Sequence, residues 1–352
     1  MTDSSGSATA GGVGAEHVPG AGPRLSLDLV IPVYNEAAVL DLLFDRLDRT
    51  FSDRTLADKR LSQVTYVLVD DGSTDDSARI ISEKIRRGSP ALLIRLSRNF
   101  GHASAISAGL DSSTADLVAL LDADLQDPPD VVLEMIDRVQ EGYDIVYGER
   151  RKRKENVLKR LGYWSFYRLI AALSEVKIPL DSGDFCLITR RVVTAMQNMP
   201  ERLRYPRVLR AWVGFRQIGV SYERPQRQAG TTKYTLKHLY RLATDGIASA
   251  SIRPLKIAQL SSFLVGSMAA GLALVFVLVL AGLMDITVSH PLLLASLLTA
   301  GSNALIMLVL YVQSAYIGRM YLEVKGRPPY LVMERIERPP VDAAVAARNE
   351  TP

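Results

Sequence analysis

The chain repeats one pattern of hydrophobic and polar positions four times from Leu27 onward. Each unit is a short apolar run, then a polar turn, then an amphipathic stretch with apolar positions at helical spacing. The apolar runs are Leu27–Val33, Val64–Val69, Ala91–Leu96 and Leu117–Leu121. The amphipathic stretches begin near Ala37, Ser77, Ser104 and Pro129. Strands that alternate with helices in this way predict an α/β fold with a mainly parallel sheet.

A different pattern occupies residues 257–318, where 62 residues include a single formal charge, Asp285. Ile257–Met284 and Pro291–Gly318 are each longer than the ~20 residues that a helix needs to cross a bilayer. Asp285 is expected in the polar break between them, because a carboxylate at the centre of a membrane helix costs roughly 2.5–3.5 kcal/mol. The two stretches therefore predict a transmembrane helical hairpin rather than the core helices of a soluble protein.

Basic residues flank this predicted hairpin, whereas its turn contains no Lys or Arg. Arg253 and Lys256 precede the first span, and Arg319, Lys325 and Arg327 follow the second. Positive charge is concentrated at the cytoplasmic ends of membrane spans. We therefore expect an integral protein of the plasma membrane whose soluble domain and both termini are cytoplasmic.

Composition divides the chain into five regions. They are a tail over 1–24, a soluble domain over 25–220, a basic segment over 221–256, the two spans over 257–318, and a C-terminal segment and tail over 319–352. The first tail is rich in Gly, Ala and Ser and has no apolar core of a signal peptide, so we expect it to be disordered. The single cysteine, Cys186, excludes an internal disulfide and a zinc site built from several thiolates.

The net charge of +4 conceals two strongly basic stretches. Residues 149–160 carry seven Lys/Arg and two Glu, net +5, and residues 201–256 carry twelve Lys/Arg and three acids, net +9. The rest of the chain therefore sums to −10. Such stretches favour an anionic membrane surface or a phosphate-bearing substrate. Because they flank the predicted spans, nucleic acid is not an expected partner.

A polar motif follows each of the four predicted strands. These motifs are Tyr34–Glu36, Asp70–Asp75, Arg98–His102 and Asp122–Asp127. Ligands of open α/β sheets bind outside the carboxyl ends of the strands. The sequence therefore predicts that the four motifs meet in one cleft.

Asp122, Asp124 and Gln126 offer two carboxylates and an amide oxygen at alternating positions. Mg²⁺ prefers oxygen ligands, commonly one or two carboxylates together with substrate phosphates. A divalent ion on a diphosphate would make that group a better leaving group. Helix capping is the alternative explanation, and it predicts Asp127, which precedes two prolines, as an N-cap. Capping does not account for Asp122 or Asp124.

Three further motifs have both a functional and a purely structural explanation. Asp70–Asp75 fits a nucleoside site as well as a simple turn and cap. Arg98–His102 divides in the same way, and His102 by itself indicates nothing. Arg227–Tyr234 fits a loop that closes over phosphates, or a solvated loop near lipid headgroups. In the basic run Arg150–Lys154, we retain only Arg150 as a candidate, because it ends the predicted strand Asp144–Tyr147.

Six motifs occur together in the order and rough spacing of family 2 glycosyltransferases: IPVYNE, VDDGSTD, DADLQDPP, YGER, DSGDF and RQAGTTKY. More narrowly, the chain resembles the polyprenyl-phosphate glycosyltransferases, which include bactoprenol glucosyltransferases and dolichol-phosphate mannose synthases. The resemblance runs from about Leu25 to Arg327. It implies a GT-A nucleotide-sugar-binding domain on the cytoplasmic side and inverting transfer of a sugar from a nucleotide donor to a polyprenyl phosphate.

The resemblance also implies roles for individual residues. The nucleoside would contact Pro32, Tyr34, Glu36, Asp70 and Asp71. Mg²⁺ or Mn²⁺ on the diphosphate would be held by Asp122, Asp124 and Gln126. Phosphates would be contacted from an active-site loop by Arg227, Thr232 and Lys233, with further substrate contacts from Arg98 and Arg150. Asp184 would lie on the acceptor side, and the catalytic group would comprise Asp124, Asp184, Arg227 and Lys233.

The resemblance sets the expected partners as well. UDP-glucose is the first expected donor and undecaprenyl phosphate the expected acceptor, with galactose, mannose and N-acetylhexosamines as alternative sugars. A homo-oligomer, a dimer or tetramer, is expected through the membrane part. One position departs from the pattern, because bactoprenol-type relatives commonly have Arg where this chain has Cys186. A non-catalytic, membrane-anchored nucleotide-sugar sensor or scaffold is the alternative of another class.

Overall fold

The computed structural model describes residues 23–150, 182–202, 204–223, 253–282 and 289–337. Its strands are β1 (Leu25–Val33), β2 (Leu61–Asp70), β3 (Ala91–Leu96), β4 (Leu117–Leu120), β5 (Ile145–Arg150), β6 (Ser182–Thr189), β7 (Gln217–Tyr222) and β8 (Val332–Glu337). Its helices are α1 (Ala37–Thr50), α2 (Asp53–Asp58), α3 (Ser77–Arg86), α4 (His102–Ser112), α5 (Pro129–Gln140), α6 (Arg190–Gln197), α7 (Pro206–Trp212), α8 (Arg253–Leu280) and α9 (Ser289–Val324). The four predicted strand–helix units are all present.

The strands form one sheet in the order β7-β5-β6-β4-β1-β2-β3-β8. The central run β4-β1-β2-β3 is parallel, and β5 and β7 are also parallel, so four of the seven neighbouring pairs run in the same direction. Strand β6 is antiparallel to both β4 and β5, and β8 is antiparallel to β3. The predicted mainly parallel α/β sheet is confirmed, with two antiparallel insertions.

Both faces of the sheet are buried, which explains why the central strands are apolar at consecutive positions. On β1, Leu29 and Ile31 pack into one core cluster with α1, whereas Val30 packs into the other with α4. Helix α4 lies very close to the sheet at Gly109, because a Cβ there would collide with the side chain of Val30. A larger residue at this point would push the helix away from the strands.

Strand register brings the ends of six strands to one edge of the sheet, which we call the carboxyl edge. In the parallel pairing Val33 is opposite Asp70. Because β6 runs in the opposite direction, the residues that begin it lie beside those that end β4, and Leu120 is opposite Cys186. The end of β5 meets the end of β7, with Arg150 opposite Tyr222. All four polar motifs predicted from the sequence, together with Asp184, therefore lie at this edge.

Helices α8 and α9 are long and apolar enough to cross a membrane over Gln259–Val279 and Leu298–Val324, with mean hydropathies of 2.4 and 1.4. Neither window is buried against the rest of the described chain. The two predicted apolar helices are thus confirmed as helices. Helix α9 continues past Gly318, the predicted end of the second span, and ends at Val324, so it includes the charged residues Arg319 and Glu323.

The segment after α9 returns to the sheet as β8, a strand that the sequence did not predict. It pairs with β3 in antiparallel register, and Ser97 donates a backbone hydrogen bond of 2.9 Å to the carbonyl of Leu331. The Arg95 guanidinium lies 2.7 Å from the Glu334 carboxylate across this pair. Because β8 is antiparallel to β3, it begins at the carboxyl edge, where the other motifs meet.

Candidate active site

The turns after β1 and β2 are joined by side-chain hydrogen bonds at the carboxyl edge. Asn35 has a left-handed backbone with φ 54°, and its side-chain oxygen accepts a 2.8 Å hydrogen bond from the Thr74 amide. In return, the Ser73 hydroxyl accepts a 3.0 Å hydrogen bond from the Asn35 amide. Asp70 then holds this second turn by accepting a 2.9 Å bond from the Ser73 amide. The predicted nucleoside residues therefore belong to one rigid pair of turns.

The predicted nucleoside residues differ in accessibility. Tyr34 is 39% exposed and Glu36 is partly buried, so both can face a ligand at the carboxyl edge. Pro32 is partly buried within β1, whereas Asp70 is 1% exposed. The Asp70 carboxylate also lies 3.5 Å from the Arg95 guanidinium, which links it to β3.

Asp71 holds the loop between β3 and α4. Its buried carboxylate accepts hydrogen bonds from the amides of Phe100 at 2.7 Å and Gly101 at 2.9 Å. Burial raises the pKa of Asp71, although these two amide donors act in the opposite direction. Beside it, Gly72 has φ 69°, and a Cβ there would lie 2.5 Å from the carbonyl carbon of Arg98. Asp71 thus shapes the site through a neighbouring loop.

This loop sets the position of two further predicted residues. Gly101 has φ 98° and allows α4 to begin at His102, two residues before the predicted start. Arg98 is exposed, and its guanidinium lies 4.6 Å from the centroid of the Phe100 ring. The loop therefore presents an arginine and a histidine at the carboxyl edge.

The segment after β4 turns sharply through Leu125, which has φ 59°. Asp124 is buried, and one of its carboxylate oxygens accepts a 3.1 Å hydrogen bond from the Gln126 amide. The prediction that Asp127 caps helix α5 is wrong, because Pro128 occupies the N-cap position and no side-chain cap bond forms. Asp127 instead accepts a 2.6 Å hydrogen bond from the Tyr222 hydroxyl in the interior. The predicted proline in the first helical turn is confirmed.

Asp122 lies close to three other carboxylates, those of Asp127, Asp124 and Asp184. Desolvation by the surrounding protein, together with these three charges, raises the pKa of the Asp122 carboxyl to about 6 against an opposing effect of His102. One third of the Asp122 side chain nevertheless remains exposed at the carboxyl edge. A cation at this position would relieve the repulsion among the carboxylates.

The donor set at this point fits a divalent ion only if other oxygens complete it. Within the described ranges, no three His, Cys, Asp or Glu side chains are grouped so that they could hold a metal ion. Asp122 and Asp124 supply two carboxylates, and Mg²⁺ is commonly held by one or two carboxylates with substrate phosphates. The residues therefore fit a site that a bound diphosphate completes.

Asp184, at the start of β6, lies between a histidine and an arginine. His102 Nε2 lies 3.5 Å from its carboxylate and 3.8 Å from that of Asp122. Arg207, at the start of α7, approaches Asp184 with two nitrogens at 3.4 Å. Desolvation alone would raise the pKa of Asp184, but His102, Arg207 and Arg210 hold it well below its usual range.

Neither His102 nor Arg207 was singled out by the sequence. Desolvation would lower the pKa of His102, but Asp184 and Asp122 outweigh it and raise the value. The only sequence signal was the place of His102 in the motif after β3. Its partner carboxylate lies in a distant part of the chain, so the pairing becomes visible only in the fold.

A buried arginine supports the backbone beneath Asp184. Arg210 is 3% exposed and donates hydrogen bonds to the carbonyls of Gly183 at 3.1 Å and Asp184 at 3.5 Å. It also contacts Cys186, whose thiol pKa is raised by burial. The Arg210 guanidinium thus lies beside Cys186, the position at which this chain departs from the pattern of the resembling family.

Arg150 lies at the carboxyl edge as the sequence predicted. Its Nε lies 3.4 Å from the Tyr222 hydroxyl, and its guanidinium covers Gly183, where a Cβ would approach Nη2 to 2.8 Å. The remaining predicted residues of the site, Arg227, Thr232 and Lys233, lie outside the described residues. The described part of the site therefore unites side chains from the ends of β1, β2, β3, β4 and β5 with Asp184 from the start of β6.

Comparison with known proteins identifies the family. Residues 28–196 match the family model described as glycosyl transferase family 2. An uncharacterized glycosyltransferase of Bacillus subtilis, YkcC, is 39% identical over 88% of this chain and 94% of its own length. A bactoprenol glucosyl transferase of Shigella phage SfX is 33% identical over 88% of this chain and all of its own length.

Among solved structures, the mannosyltransferase PcManGT of Pyrobaculum calidifontis, in complex with GDP-Man and Mn²⁺, aligns with a TM-score of 0.43 and 15% identity. The alignment covers 93% of this chain and 79% of that one. A likeness of this degree says nothing about substrate or metal. The two sequence relatives cover most of both chains, and the sheet has the mainly parallel arrangement of GT-A enzymes. The chain belongs to glycosyltransferase family 2.

Proposed function

We propose that this enzyme transfers a hexose from a nucleotide diphosphate sugar to a polyprenyl phosphate at the cytoplasmic face of the membrane, with inversion at the anomeric carbon. Glucose from UDP-glucose and undecaprenyl phosphate are the first candidates for donor and acceptor. Their support is the bactoprenol glucosyl transferase of Shigella phage SfX, which aligns with this chain over its whole length. GDP-mannose, UDP-galactose and UDP-N-acetylhexosamines are the alternative donors.

The observation that carries the proposal is the position of the two strand ends that connect the sheet to the apolar helices. Strand β7 ends at Tyr222 on the carboxyl edge, and β8 begins at Val332 on the same edge. The two strand ends that connect to the apolar helices therefore lie on the same edge of the sheet as Asp122, Asp124 and Asp184. This arrangement favours an active site that faces the membrane, where a lipid phosphate is available.

The pairing of β8 with β3 also supports the proposed topology. Strand β8 follows the two apolar helices and lies in the same sheet as the strands that precede them. The chain must therefore return to its starting side, which two crossings achieve and one does not. Together with the basic flanks of the spans, this favours a cytoplasmic domain and cytoplasmic termini.

The residues of the carboxyl edge suit direct displacement at the sugar. In the proposed reaction a phosphate oxygen of the acceptor forms a bond to the anomeric carbon while the bond from that carbon to the nucleoside diphosphate breaks. A phosphate monoester has a second pKa near ~6, so the attacking oxygen is already anionic at neutral pH. A strong base is unnecessary, and the work of the protein is orientation and electrostatic stabilisation.

We propose Asp122, Asp124 and Gln126 as the residues that would hold Mg²⁺ or Mn²⁺. The bound ion would neutralise charge on the departing diphosphate. The Asp124 carboxylate accepts a hydrogen bond from the Gln126 amide across the left-handed turn at Leu125. Arg227, Thr232 and Lys233 are proposed to contact the phosphates, as the family resemblance implies.

We also propose self-association through the membrane part. Ser262, Gly266 and Ala270 recur at four-residue spacing along α8, and all three are exposed in the single chain. Small residues at this spacing allow close approach between membrane helices. A dimer or tetramer would bury this stripe.

The test is incubation of membranes containing the enzyme with undecaprenyl phosphate and a panel of radiolabelled nucleotide sugars. The expected result is an organic-extractable, labelled lipid and release of nucleoside diphosphate, strongest with UDP-glucose. Membranes containing Asp124→Asn are the control for background transferases. A labelled lipid from another donor would reassign the sugar and keep the reaction class.

A non-catalytic nucleotide-sugar sensor gives a different result in the same assay. Such a protein would bind the donor but release no nucleoside diphosphate in the presence of any polyprenyl phosphate. Binding without release across the whole panel would therefore overturn the proposed enzymatic function.

A further inference from the structure

We call the group formed by Asp184, His102 and Arg207 the corner of the site. It has more hydrogen-bond donors than the Asp184 carboxylate can use. The Asp184 carboxylate faces His102 Nε2 at 3.5 Å and two nitrogens of Arg207 at 3.4 Å. These distances are long for charge-assisted hydrogen bonds, which are normally about 2.7–2.9 Å. The side chains of His102 and Arg207 also remain 50% and 42% exposed. Both can therefore take a second acceptor from solvent without breaking a tight contact.

We propose that Arg207 and His102 bind the phosphate of the lipid acceptor, and that Asp184 holds both side chains in place before the acceptor arrives. This inference rests on the proposed function and assigns its acceptor site. A guanidinium suits a phosphate because its planar donors match two oxygens at once. An imidazole N–H from the opposite side would fix the direction of a third oxygen.

The position of His102 places this corner beside the proposed donor site. His102 Nε2 lies between the carboxylates of Asp184 at 3.5 Å and Asp122 at 3.8 Å. Asp122 belongs to the proposed diphosphate side, whereas Asp184 is the carboxylate that Arg207 approaches. A phosphate held by Arg207 and His102 would consequently lie next to a sugar whose diphosphate is at Asp122.

The corner also adjoins the end of the second apolar helix. The Arg202 amide donates to the carboxylate of Glu323, which is in the last turn of α9. Helix α7, which carries Arg207, begins only a few residues later, at Pro206. The Tyr330 hydroxyl, just before β8, donates a 2.8 Å hydrogen bond to the Asp111 carboxylate of α4. The elements that carry Arg207 and His102 are thus both tied to the segment that leaves α9.

A buried arginine keeps the corner rigid. Arg210 holds the carbonyls of Gly183 and Asp184 from below and is itself fully enclosed. Arg207 and Arg210 lie one turn apart on α7, so one faces the open site while the other fixes the strand beneath it. The acceptor groups are therefore preorganised, which lowers the ordering cost of binding.

The experiment uses the full-length protein in lipid nanodiscs, with four variants: Arg207→Ala, Arg207→Lys, His102→Ala and His102→Gln. Two quantities are measured for each, the binding of undecaprenyl phosphate by phosphorus NMR and the binding of UDP with Mn²⁺ by calorimetry. Steady-state kinetics then give KM for each substrate. Arg54→Ala is the matched control, because the Arg54 side chain is 92% exposed on α2 and pairs only loosely with Asp58 at 3.9 Å.

The proposal expects the alanine variants to weaken undecaprenyl phosphate binding by about 10-fold or more, since a charge-assisted hydrogen bond is lost. UDP affinity should stay unchanged, and Arg207→Lys should recover part of the loss because it keeps the charge. Acceptor affinity equal to wild type in the alanine variants would overturn the proposal, as would an equal loss of UDP affinity. A fall in kcat with acceptor KM unchanged would also overturn it and leave only a positioning role.

A misfolded variant would lose affinity for both ligands. The UDP measurement and the milder variants Arg207→Lys and His102→Gln therefore distinguish misfolding from loss of the acceptor site. The result also separates from a failure of the proposed function. A wild-type enzyme that binds no undecaprenyl phosphate contradicts both, whereas a wild type that binds it and variants that bind it equally well contradict this inference alone.

Discussion

The Tyr222 hydroxyl donates a 2.6 Å hydrogen bond to the Asp127 carboxylate beneath the carboxyl edge. The bond joins the last residue of β7 to the turn that carries Asp122 and Asp124. Burial and the adjacent Asp127 raise the pKa of Tyr222, so the phenol stays protonated and keeps donating across the physiological range. This contact fixes the position of the turn that carries Asp122 and Asp124 relative to strand β7.

Tyr222→Phe should therefore destabilise the protein by about 1–3 kcal/mol, because a buried carboxylate loses a hydrogen-bond donor. The measurement is the thermal unfolding midpoint of the full chain in detergent. Tyr143→Phe is the control, since the Tyr143 ring faces the Arg216 guanidinium at 4.7 Å and the variant keeps that ring. Equal midpoints for the two variants would contradict the role assigned to the Tyr222 hydroxyl.

Gly72→Ala should disrupt the nucleoside turns. Gly72 has φ 69°, and an added Cβ would lie 2.5 Å and 2.6 Å from backbone atoms of Arg98 and Asn99. A left-handed backbone alone costs a residue with a Cβ about 1–2 kcal/mol. The collision adds to that cost, because neither backbone can move without displacing the loop that Asp71 holds.

Gly88→Ala supplies the matched control for this prediction. Gly88 also has a left-handed backbone, with φ 101°, but a Cβ there meets nothing within 4 Å. We expect Gly88→Ala to lower the unfolding midpoint slightly and to leave UDP affinity intact, whereas Gly72→Ala lowers both. If UDP affinity fell equally in the two variants, the close approach at Gly72 would not be what shapes the site.

Asp124→Asn should reduce turnover more than Asp184→Asn. Asp124 is proposed to help hold the cation that relieves charge on the departing diphosphate, whereas Asp184 only orients groups around an acceptor that is already anionic. Turnover is measured with the donor identified in the labelling assay. Thermal stabilisation by Mn²⁺ in the presence of UDP is the second measurement, and its dependence on Mn²⁺ should disappear in Asp124→Asn but persist in Asp184→Asn. Complete and equal losses of turnover in both variants would reverse this ranking.

Removal of β8 should cause aggregation through β3. Strand β3 is almost entirely buried, and its Leu92 and Leu93 lie opposite residues of β8. An uncovered strand edge of this kind pairs readily with other chains. A chain that stops after Arg327 should therefore elute from size exclusion in detergent as large species. A chain that stops after Pro339 keeps β8 and should elute like the full chain, and identical profiles would contradict the role of β8.

The sequence predicted the repeated strand–helix units well because both faces of a parallel sheet demand consecutive apolar residues. It also predicted that Tyr34, Asp70 and Asp122 would meet, since parallel strands bring the residues that follow them to one edge. These inferences need only local pattern and the rule for parallel sheets.

The rest depended on contacts between distant segments. Strand β8 was missed because its sequence, VMERIE, has neither a continuous apolar run nor a regular alternation of apolar and polar residues, and of its six residues only Ile336 packs partly into the core. Asp127 has the sequence setting of a helix cap, but Tyr222 from a remote strand takes its carboxylate. His102 was uninformative until the antiparallel course of β6 brought Asp184 beside it. In each case the residue could be read from the local sequence, but its distant partner in the fold could not.

The late position of β8 in the chain has a consequence for biosynthesis. The ribosome completes β1 to β7 before the two apolar helices emerge, so the nascent domain waits with β3 uncovered. With the proposed two-span topology, only a chain whose hairpin has been inserted and has turned back can place β8 beside β3. Under that topology, a stalled or misinserted chain would carry an exposed edge at β3 that chaperones and proteases can recognise.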